Sequence, residues 1–108
     1  MTKFKNILPD SLSVLGIDVT LEQKKLKGAK GEFNGAIETI AINPDFSCDI
    51  IKRSLVHELV HSILYFSGIH NLVDLKTEEA ICDAVETGLT PLVEFKFEKR
   101  GAEAPPKD

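Results

Sequence analysis

Two histidines and a glutamate carry the strongest chemical signal in the sequence. His57 and His61 lie four residues apart, and Glu58 follows the first of them. On a helix this spacing places both imidazoles on one face, with Cβ atoms about 5–6 Å apart, so both can bind one zinc ion at about 2.0–2.1 Å. A carboxylate beside the first ligand can take a proton from water at the metal. The pattern therefore predicts a site for zinc (Zn2+), with Glu58 as the catalytic general base.

A site without metal is the main alternative interpretation of the same residues. The two histidines would then cap the helix or complete a core by themselves. This alternative must explain three polar residues on a helix that is otherwise largely apolar, although burying a polar group without a partner costs roughly 1–3 kcal/mol. A metal ion provides that partner, and we therefore favour the metal site.

The histidine pair needs a third protein ligand, because catalytic zinc is held by three side chains and a water. Ser67 stands where the extended metzincin pattern requires a histidine, so that subclass is excluded. The remaining candidates for the third ligand are His70, Asp74, Glu78 and Glu79.

Glu79 is the candidate that we favour, since a carboxylate from a following helix completes several known zinc sites of this type. Asp83 would share its helix face, four residues further on, and could orient a ligand imidazole. We expect Glu78 to point toward solvent at the helix start, where a negative charge favours the helix dipole.

Three other residues close to this motif each allow two interpretations. Tyr65 would border the site and stabilise an oxyanion, or it is an amphipathic aromatic residue at a helix end. His70 would be an electrophile or a ligand, but we favour a surface histidine in a loop. Cys82 is expected to be a small core residue, and it and Cys48 are expected to be free thiols.

Two predicted helices would hold these residues. Ser47 is a predicted N-cap for the first helix, and Gly68 is its predicted end. Between them, apolar residues recur every four positions, at Ile51, Leu55, Leu59 and Ile63. The second helix is predicted to begin at Thr77 and to be bent or broken by Pro91. Its predicted apolar side consists of Ala80, Ile81, Ala84, Val85, Leu89, Leu92 and Val93.

The first half of the chain has the alternation that is typical of strands. Residues 12–21 indicate one half-buried strand with an interruption at Gly16. Residues 31–42 indicate a hairpin, because both members of the Asn34-Gly35 pair tolerate positive φ. Strands followed by helices predict an α+β fold, a small antiparallel or mixed sheet packed on two helices. We expect a single domain over residues 1–98 and a disordered tail over residues 99–108.

Composition and charge exclude several classes of partner. The net charge is −4 and the isoelectric point is about 5.3, so we expect no binding to nucleic acid. Lys24, Lys25, Lys27 and Lys30 form a local basic cluster that we interpret as a solvated loop. No apolar stretch approaches the ~18 residues of a membrane span, and no secretory signal is recognisable. The expected location is the cytoplasm.

Three segments of the sequence resemble the ImmA/IrrE-type metallopeptidases and their minimal phage-encoded relatives. The segments are Ile40-Ala41-Ile42-Asn43, Leu55-Val56-His57-Glu58-Leu59-Val60-His61-Ser62-Ile63-Leu64 and Glu79-Ala80-Ile81-Cys82-Asp83-Ala84. The resemblance implies a minimal zincin-like fold, zinc at His57, His61 and Glu79, and Glu58 as general base. The larger members carry a helix-turn-helix domain that is lacking here, so their role in transcription is not carried over.

Three functions are compatible with these residues. The first is a zinc peptidase that hydrolyses a specific protein or peptide substrate, with one wall of its cleft formed by a strand edge. The second is a zinc-binding regulatory module with little or no turnover, and the third is a zinc-stabilised structural protein. The intact Glu58 favours the peptidase, because a purely zinc-binding fold has no need of a carboxylate there.

Overall fold

The computed structural model describes residues 8–93, and these form an α+β fold as predicted. The elements in chain order are β1 (Ser11–Val14), β2 (Ile17–Gln23), β3 (Gly31–Asn34), β4 (Thr39–Ile42), α1 (Cys48–Ser67), a 3-10 turn (Ile69–Asn71), α2 (Leu75–Leu89) and a second 3-10 turn (Thr90–Leu92). The predicted tail, residues 99–108, lies outside the described residues, as do both ends of the predicted domain.

The four strands form one mixed sheet in the order β1-β2-β4-β3. The central pair, β2 and β4, is parallel, whereas each of the two outer pairs is antiparallel. The sequence predicts either an antiparallel or a mixed sheet, and the observed sheet is mixed. Strand β3 is therefore an edge strand on the side of β4 away from β2.

Residues 12–21 form two strands, so the prediction of a single strand there is wrong. Leu15 and Gly16 have φ angles of 53° and 82°, and positive φ at both central residues is the mark of a type I′ turn. Val14 pairs directly with Ile17 across this turn. The two-residue turn reverses the chain, and the apolar residues lie at even positions before it and at odd positions after it.

The hairpin predicted over residues 31–42 is present, but its turn differs from the expected one. Four residues, 35–38, separate β3 from β4, and the positive φ belongs to Glu38 rather than to Asn34 or Gly35. Gly35 is needed for another reason, since a Cβ atom there would lie 2.4 Å from Cζ of Tyr65. The tyrosine ring of α1 therefore packs directly on the backbone of this hairpin.

The boundaries of α1 agree with the prediction, whereas α2 begins earlier than predicted. Ser47 caps α1 by accepting a hydrogen bond from the amide of Ile50, and Gly68 ends it at a φ of 88°. Asp74 caps α2, because its carboxylate accepts a hydrogen bond from the amide of Thr77 at 2.7 Å. Thr77 is thus the residue whose amide bonds to the capping Asp74, and the helix begins at Leu75, two residues before Thr77.

Helix α1 packs against β3 and β4 of the sheet, and α2 packs against α1. The core is formed by buried residues of the sheet and of α1, together with one residue of α2: Val14, Val19, Leu21, Ile40, Ile42, Ile51, Leu55, Val56, Val60, Leu64 and Cys82. None of the helices within residues 8–93 is long and apolar enough to cross a bilayer.

The buried side of α2 differs from the predicted apolar side. Ala80, Ala84 and Leu89 are exposed, whereas Glu78 and Cys82 are buried. Ile81 and Val85 pack against the core as predicted. The inner face of α2 is therefore partly polar, and this is the face that meets the histidines of α1.

Candidate metal centre

The two histidines of α1 both lie against the carboxylate of Glu79 on α2. One carboxylate oxygen of Glu79 lies 3.1 Å from Nε2 of His57, and the other lies 3.3 Å from Nε2 of His61. The imidazole side chains are mostly buried, while that of Glu79 is 47% exposed. The three residues predicted as metal ligands are thus brought together, with their ligand atoms facing each other and with access to solvent through Glu79.

The other ring nitrogen of His57 is held by carboxylates of α2. Its Nδ1 lies 3.0 Å from Glu86 and 3.4 Å from Asp83, and Glu86 also accepts a hydrogen bond from Nε of Arg53 at 3.2 Å. A proton on Nδ1 fixes the tautomer in which Nε2 is the metal-binding atom. Asp83 is the residue that the sequence predicts for this role. Glu86 is not predicted, although it lies seven residues after Glu79 and so shares its helix face.

Glu78 holds His61 in the same way, and the prediction that it faces solvent is wrong. The residue is only 4% exposed. One of its carboxylate oxygens lies 2.6 Å from Nδ1 of His61, and the other lies 2.6 Å from Nδ1 of His70. Burial would raise the pKa of Glu78, but the hydrogen bonds from the two histidines outweigh it and lower the pKa. Because Glu78 contacts Nδ1 rather than Nε2, it is placed to orient the ring of His61.

The geometry separates the four candidates for the third ligand. Asp74 is occupied as the cap of α2, and His70 contacts the centre only through Glu78. Glu78 contacts Nδ1 of His61. Within residues 8–93, Glu79 is the candidate that approaches Nε2 of both histidines, which is the arrangement of a His₂Glu zinc site.

Glu58 has the surroundings expected of a general base. It is 8% exposed, and it forms no hydrogen bond or ion pair with the residues that the structure describes. Burial raises the pKa of this carboxyl, partly offset by the nearby His61 and His57. Gly31 of β3 lies directly over it, because a Cβ atom on Gly31 would be 3.3 Å from Cγ of Glu58.

The negative charges around His57 favour a positively charged group at this position. Burial by itself would lower the pKa of His57, but the hydrogen bond to Glu86 and the negative charges of Glu58 and Glu79 outweigh it, so the pKa is raised. The surrounding carboxylates thus favour the protonated form of the imidazole. A metal ion that binds at Nε2 would replace that proton and provide the positive charge.

Cys82 lies beneath the pair of histidines. Its Sγ and one nitrogen of each ring lie within 4.8 Å of one another. The residue is buried, and burial together with the charge of Glu79 raises the pKa of the thiol to about 12. Both cysteines are free as predicted, with Cys48 exposed. Two imidazoles and an accessible carboxylate fit zinc.

A cleft runs along β3 on both sides of His57 and Glu58. One cavity of about 440 Å³ extends toward Lys30 and Arg53. The other, of about 520 Å³, extends toward Tyr65 and also contains the ligand atoms of the candidate centre. Tyr65 therefore borders the cavity and also packs against the hairpin, while its role in stabilising an oxyanion stays a prediction.

Comparison with known proteins gives no match, either among models of protein families or among curated proteins. The assignment of the site therefore depends on the geometry described above.

Replacing Glu78 by Gln is expected to weaken zinc binding about 10–100-fold, the usual effect of losing a partner that orients a ligand. The amide keeps the size of the side chain, but it has only one oxygen to accept a hydrogen bond. Its NH₂ group therefore faces the N–H group of one of the two imidazoles, which needs an acceptor. Competition with a chromogenic chelator measures the affinity. Glu22→Gln, on the exposed face of β2, is the matched control and should bind zinc as the wild type does. Equal affinities for the two variants would show that Glu78 has no part in the centre.

Proposed function

We propose that the chain is a zinc-dependent metallopeptidase with a minimal zincin-like fold. In this proposal His57, His61 and Glu79 hold the metal, and Glu58 is the catalytic base. One observation carries it: the Nε2 atoms of both histidines approach Glu79, beside the nearly buried carboxylate of Glu58, which forms no hydrogen bond or ion pair within residues 8–93.

The proposed reaction is the hydrolysis of a peptide bond. When bound, zinc polarises the scissile carbonyl and lowers the pKa of a water molecule toward about 7. Glu58 accepts a proton from the attacking water while the new C–O bond forms, and it passes this proton to the leaving nitrogen as the C–N bond breaks. Its raised pKa suits both steps, since the group must take up the proton and then release it.

Glu78 and Glu86 keep the two imidazoles in position throughout this reaction. Each carboxylate accepts the Nδ1 proton of one histidine, which leaves the lone pair of Nε2 directed at the metal. Arg53 in turn holds Glu86. The ligands are thus fixed before a metal or a substrate arrives, and such preorganisation reduces the cost of reaching the transition state.

The free edge of β3 supports a peptide as the substrate. The amide of Asn43 donates to the carbonyl of Lys30 at 2.9 Å, so these two residues form a hydrogen-bonded pair of the antiparallel ladder. In such a ladder hydrogen-bonded pairs alternate with pairs that are not hydrogen-bonded. Gly31 and Phe33 belong to the second kind, so their N–H and C=O groups point away from β4. An extended peptide can add to these groups as a further strand and cross the site next to Glu58.

A peptide library tests the proposal. The zinc-loaded protein is expected to generate new termini in a library of proteome-derived peptides, read by mass spectrometry. Removal of the metal with a chelator should abolish these cuts, and restoring zinc should recover them. Cleavage that persists in the metal-free protein, or a zinc-loaded protein that cuts nothing in the library, would contradict the proposal.

A further inference from the structure

Strand β3 and helix α1 form the two walls of the cleft, and their chains run in the same direction. Gly31, at the start of β3, lies over Glu58 of α1, and Gly35, just after β3, lies over Tyr65, seven residues later on α1. The cleft therefore has two distinguishable ends, one near Gly31 and one near Gly35, with the candidate centre beneath Gly31.

The end near Gly35 carries aromatic and aliphatic side chains, although His70 also lines the same cavity. The rings of Phe33 and Tyr65 meet edge to face at a centroid distance of 5.5 Å, and both line the cavity of about 520 Å³. Leu75 lines the same cavity from the first turn of α2 and is 68% exposed. Three apolar side chains from three different elements thus border one open space next to the centre.

The end near Gly31 is charged. Its cavity is bordered by Lys30, by the ion pair of Arg53 and Glu86, and by Asp83. Burying an apolar side chain against these groups would remove them from water without providing partners. A large apolar side chain of a bound peptide therefore finds more apolar neighbours at the end near Gly35 than at the end near Gly31.

The direction of the peptide follows from the edge of β3. Antiparallel pairing is the more stable arrangement per residue, and β3 already pairs with β4 in this way. A peptide that is antiparallel to β3 passes Phe33 first and Gly31 afterwards. The residues that lie near Phe33 and Tyr65 are thus on the N-terminal side of the bond positioned over Glu58.

We infer that the cavity between Phe33, Tyr65 and Leu75 is a specificity subsite, which selects a large apolar residue on the N-terminal side of the scissile bond. This inference rests on the proposed peptidase function. Apolar pockets distinguish side chains that differ by a methylene by about 10–200-fold. The subsite should therefore discriminate strongly between phenylalanine or leucine and alanine.

Hydroxamates of single amino acids provide a test that does not depend on cleavage. In N-acetylated amino-acid hydroxamates, the side chain lies on the N-terminal side of the group that binds zinc. Calorimetry on the zinc-loaded protein should give at least about tenfold tighter binding for the phenylalanine and leucine compounds than for the alanine, glutamate and lysine compounds. In a second series, hydroxamates of succinylated amino-acid amides place the side chain on the opposite side, and there the preference should be absent.

Two variants test whether the preference for large apolar side chains depends on Leu75. Leu75→Ser should reduce the ratio of affinities for the phenylalanine and alanine compounds severalfold. Leu72→Ser changes a leucine that is 80% exposed and is not among the residues that line the cavity, so it should leave the ratio unchanged.

The possible outcomes distinguish a failure of the proposed subsite from a failure of the proposed peptidase function. Equal binding of all side chains, a preference in the succinyl series instead, or an unchanged ratio in Leu75→Ser would each overturn the subsite while leaving an accessible zinc ion established. Failure of every hydroxamate to bind the zinc-loaded protein would overturn the proposed function and the subsite together.

Discussion

Replacing Glu58 by Gln is expected to reduce the rate of hydrolysis by about 10²–10⁴, the contribution of a general base, while zinc remains bound. The amide has the shape of the carboxylate but cannot accept a proton from the attacking water. Because Glu58 forms no hydrogen bond or ion pair with the described residues, its replacement breaks no contact of the fold. The unfolding transition should therefore stay close to that of the wild type.

The measurement compares initial rates on a peptide that the wild type cleaves, with zinc content and denaturant unfolding determined on the same preparations. Glu32→Gln is a suitable control, since Glu32 borders the same cavity but is not assigned a step in the reaction. Equal rates for the wild type and Glu58→Gln would assign the hydrolysis to another group. A Glu58→Gln protein that still fulfils the biological role of the wild type would favour the regulatory module over the peptidase.

Replacing Glu79 by Ala is expected to weaken zinc binding by more than the roughly 10–100-fold that the loss of an orienting partner costs. Glu79 is the carboxylate that approaches Nε2 of both histidines, and its removal leaves two protein ligands where a catalytic zinc site has three. The measurement is again competition with a chromogenic chelator, at one pH for all variants, because protons compete with zinc for the imidazoles.

Asp83→Ala is the matched control for Glu79, one turn further along α2. Its carboxylate lies 3.4 Å from Nδ1 of His57, but Glu86 is closer and would still hold the ring. The loss of affinity should therefore be much smaller than in Glu79→Ala. If Glu79→Ala bound zinc as the wild type does while Cys82→Ala or His70→Ala did not, the third ligand would have to be reassigned.

The parts of the site that one continuous segment determines could be predicted from the sequence. Helix α1 is defined by its own residues, with Ser47 and Gly68 as caps and an apolar residue at every turn. The four-residue spacing of His57 and His61 then places both rings on one face. Local hydrogen bonds and helical periodicity are sufficient for these features, because they depend on neighbours within about four residues.

The features that were mispredicted depend on residues that are distant in the sequence. Glu78 is expected at the surface because glutamate is rarely buried without a partner, but its partners are His61 and His70, the first of them 17 residues away. Glu86 becomes a partner of His57 only through the packing of α2 on α1. The early start of α2, by contrast, had a local signal, because Asp74 accepts a hydrogen bond from the amide of Thr77 and Asp is a stronger N-cap than Thr.

The division of residues 12–21 into two strands had a signal that was overlooked. Up to Val14 the apolar residues occupy even positions, and from Ile17 onward they occupy odd ones. In a single strand this change of phase would turn half of the apolar side chains to the opposite face. The shift at Leu15 and Gly16 therefore indicates a turn, and a strand with one interruption does not explain it.

The zinc content of the purified protein tests the central claim most directly. After reconstitution and removal of free metal, elemental analysis is expected to give close to one zinc ion per chain, because two imidazoles, one carboxylate and a water complete the site. The double variant His57→Ala, His61→Ala should retain none. A reconstituted wild-type protein that retains no transition metal, or a double variant that retains as much zinc as the wild type, would contradict the claim that this cluster is a metal centre.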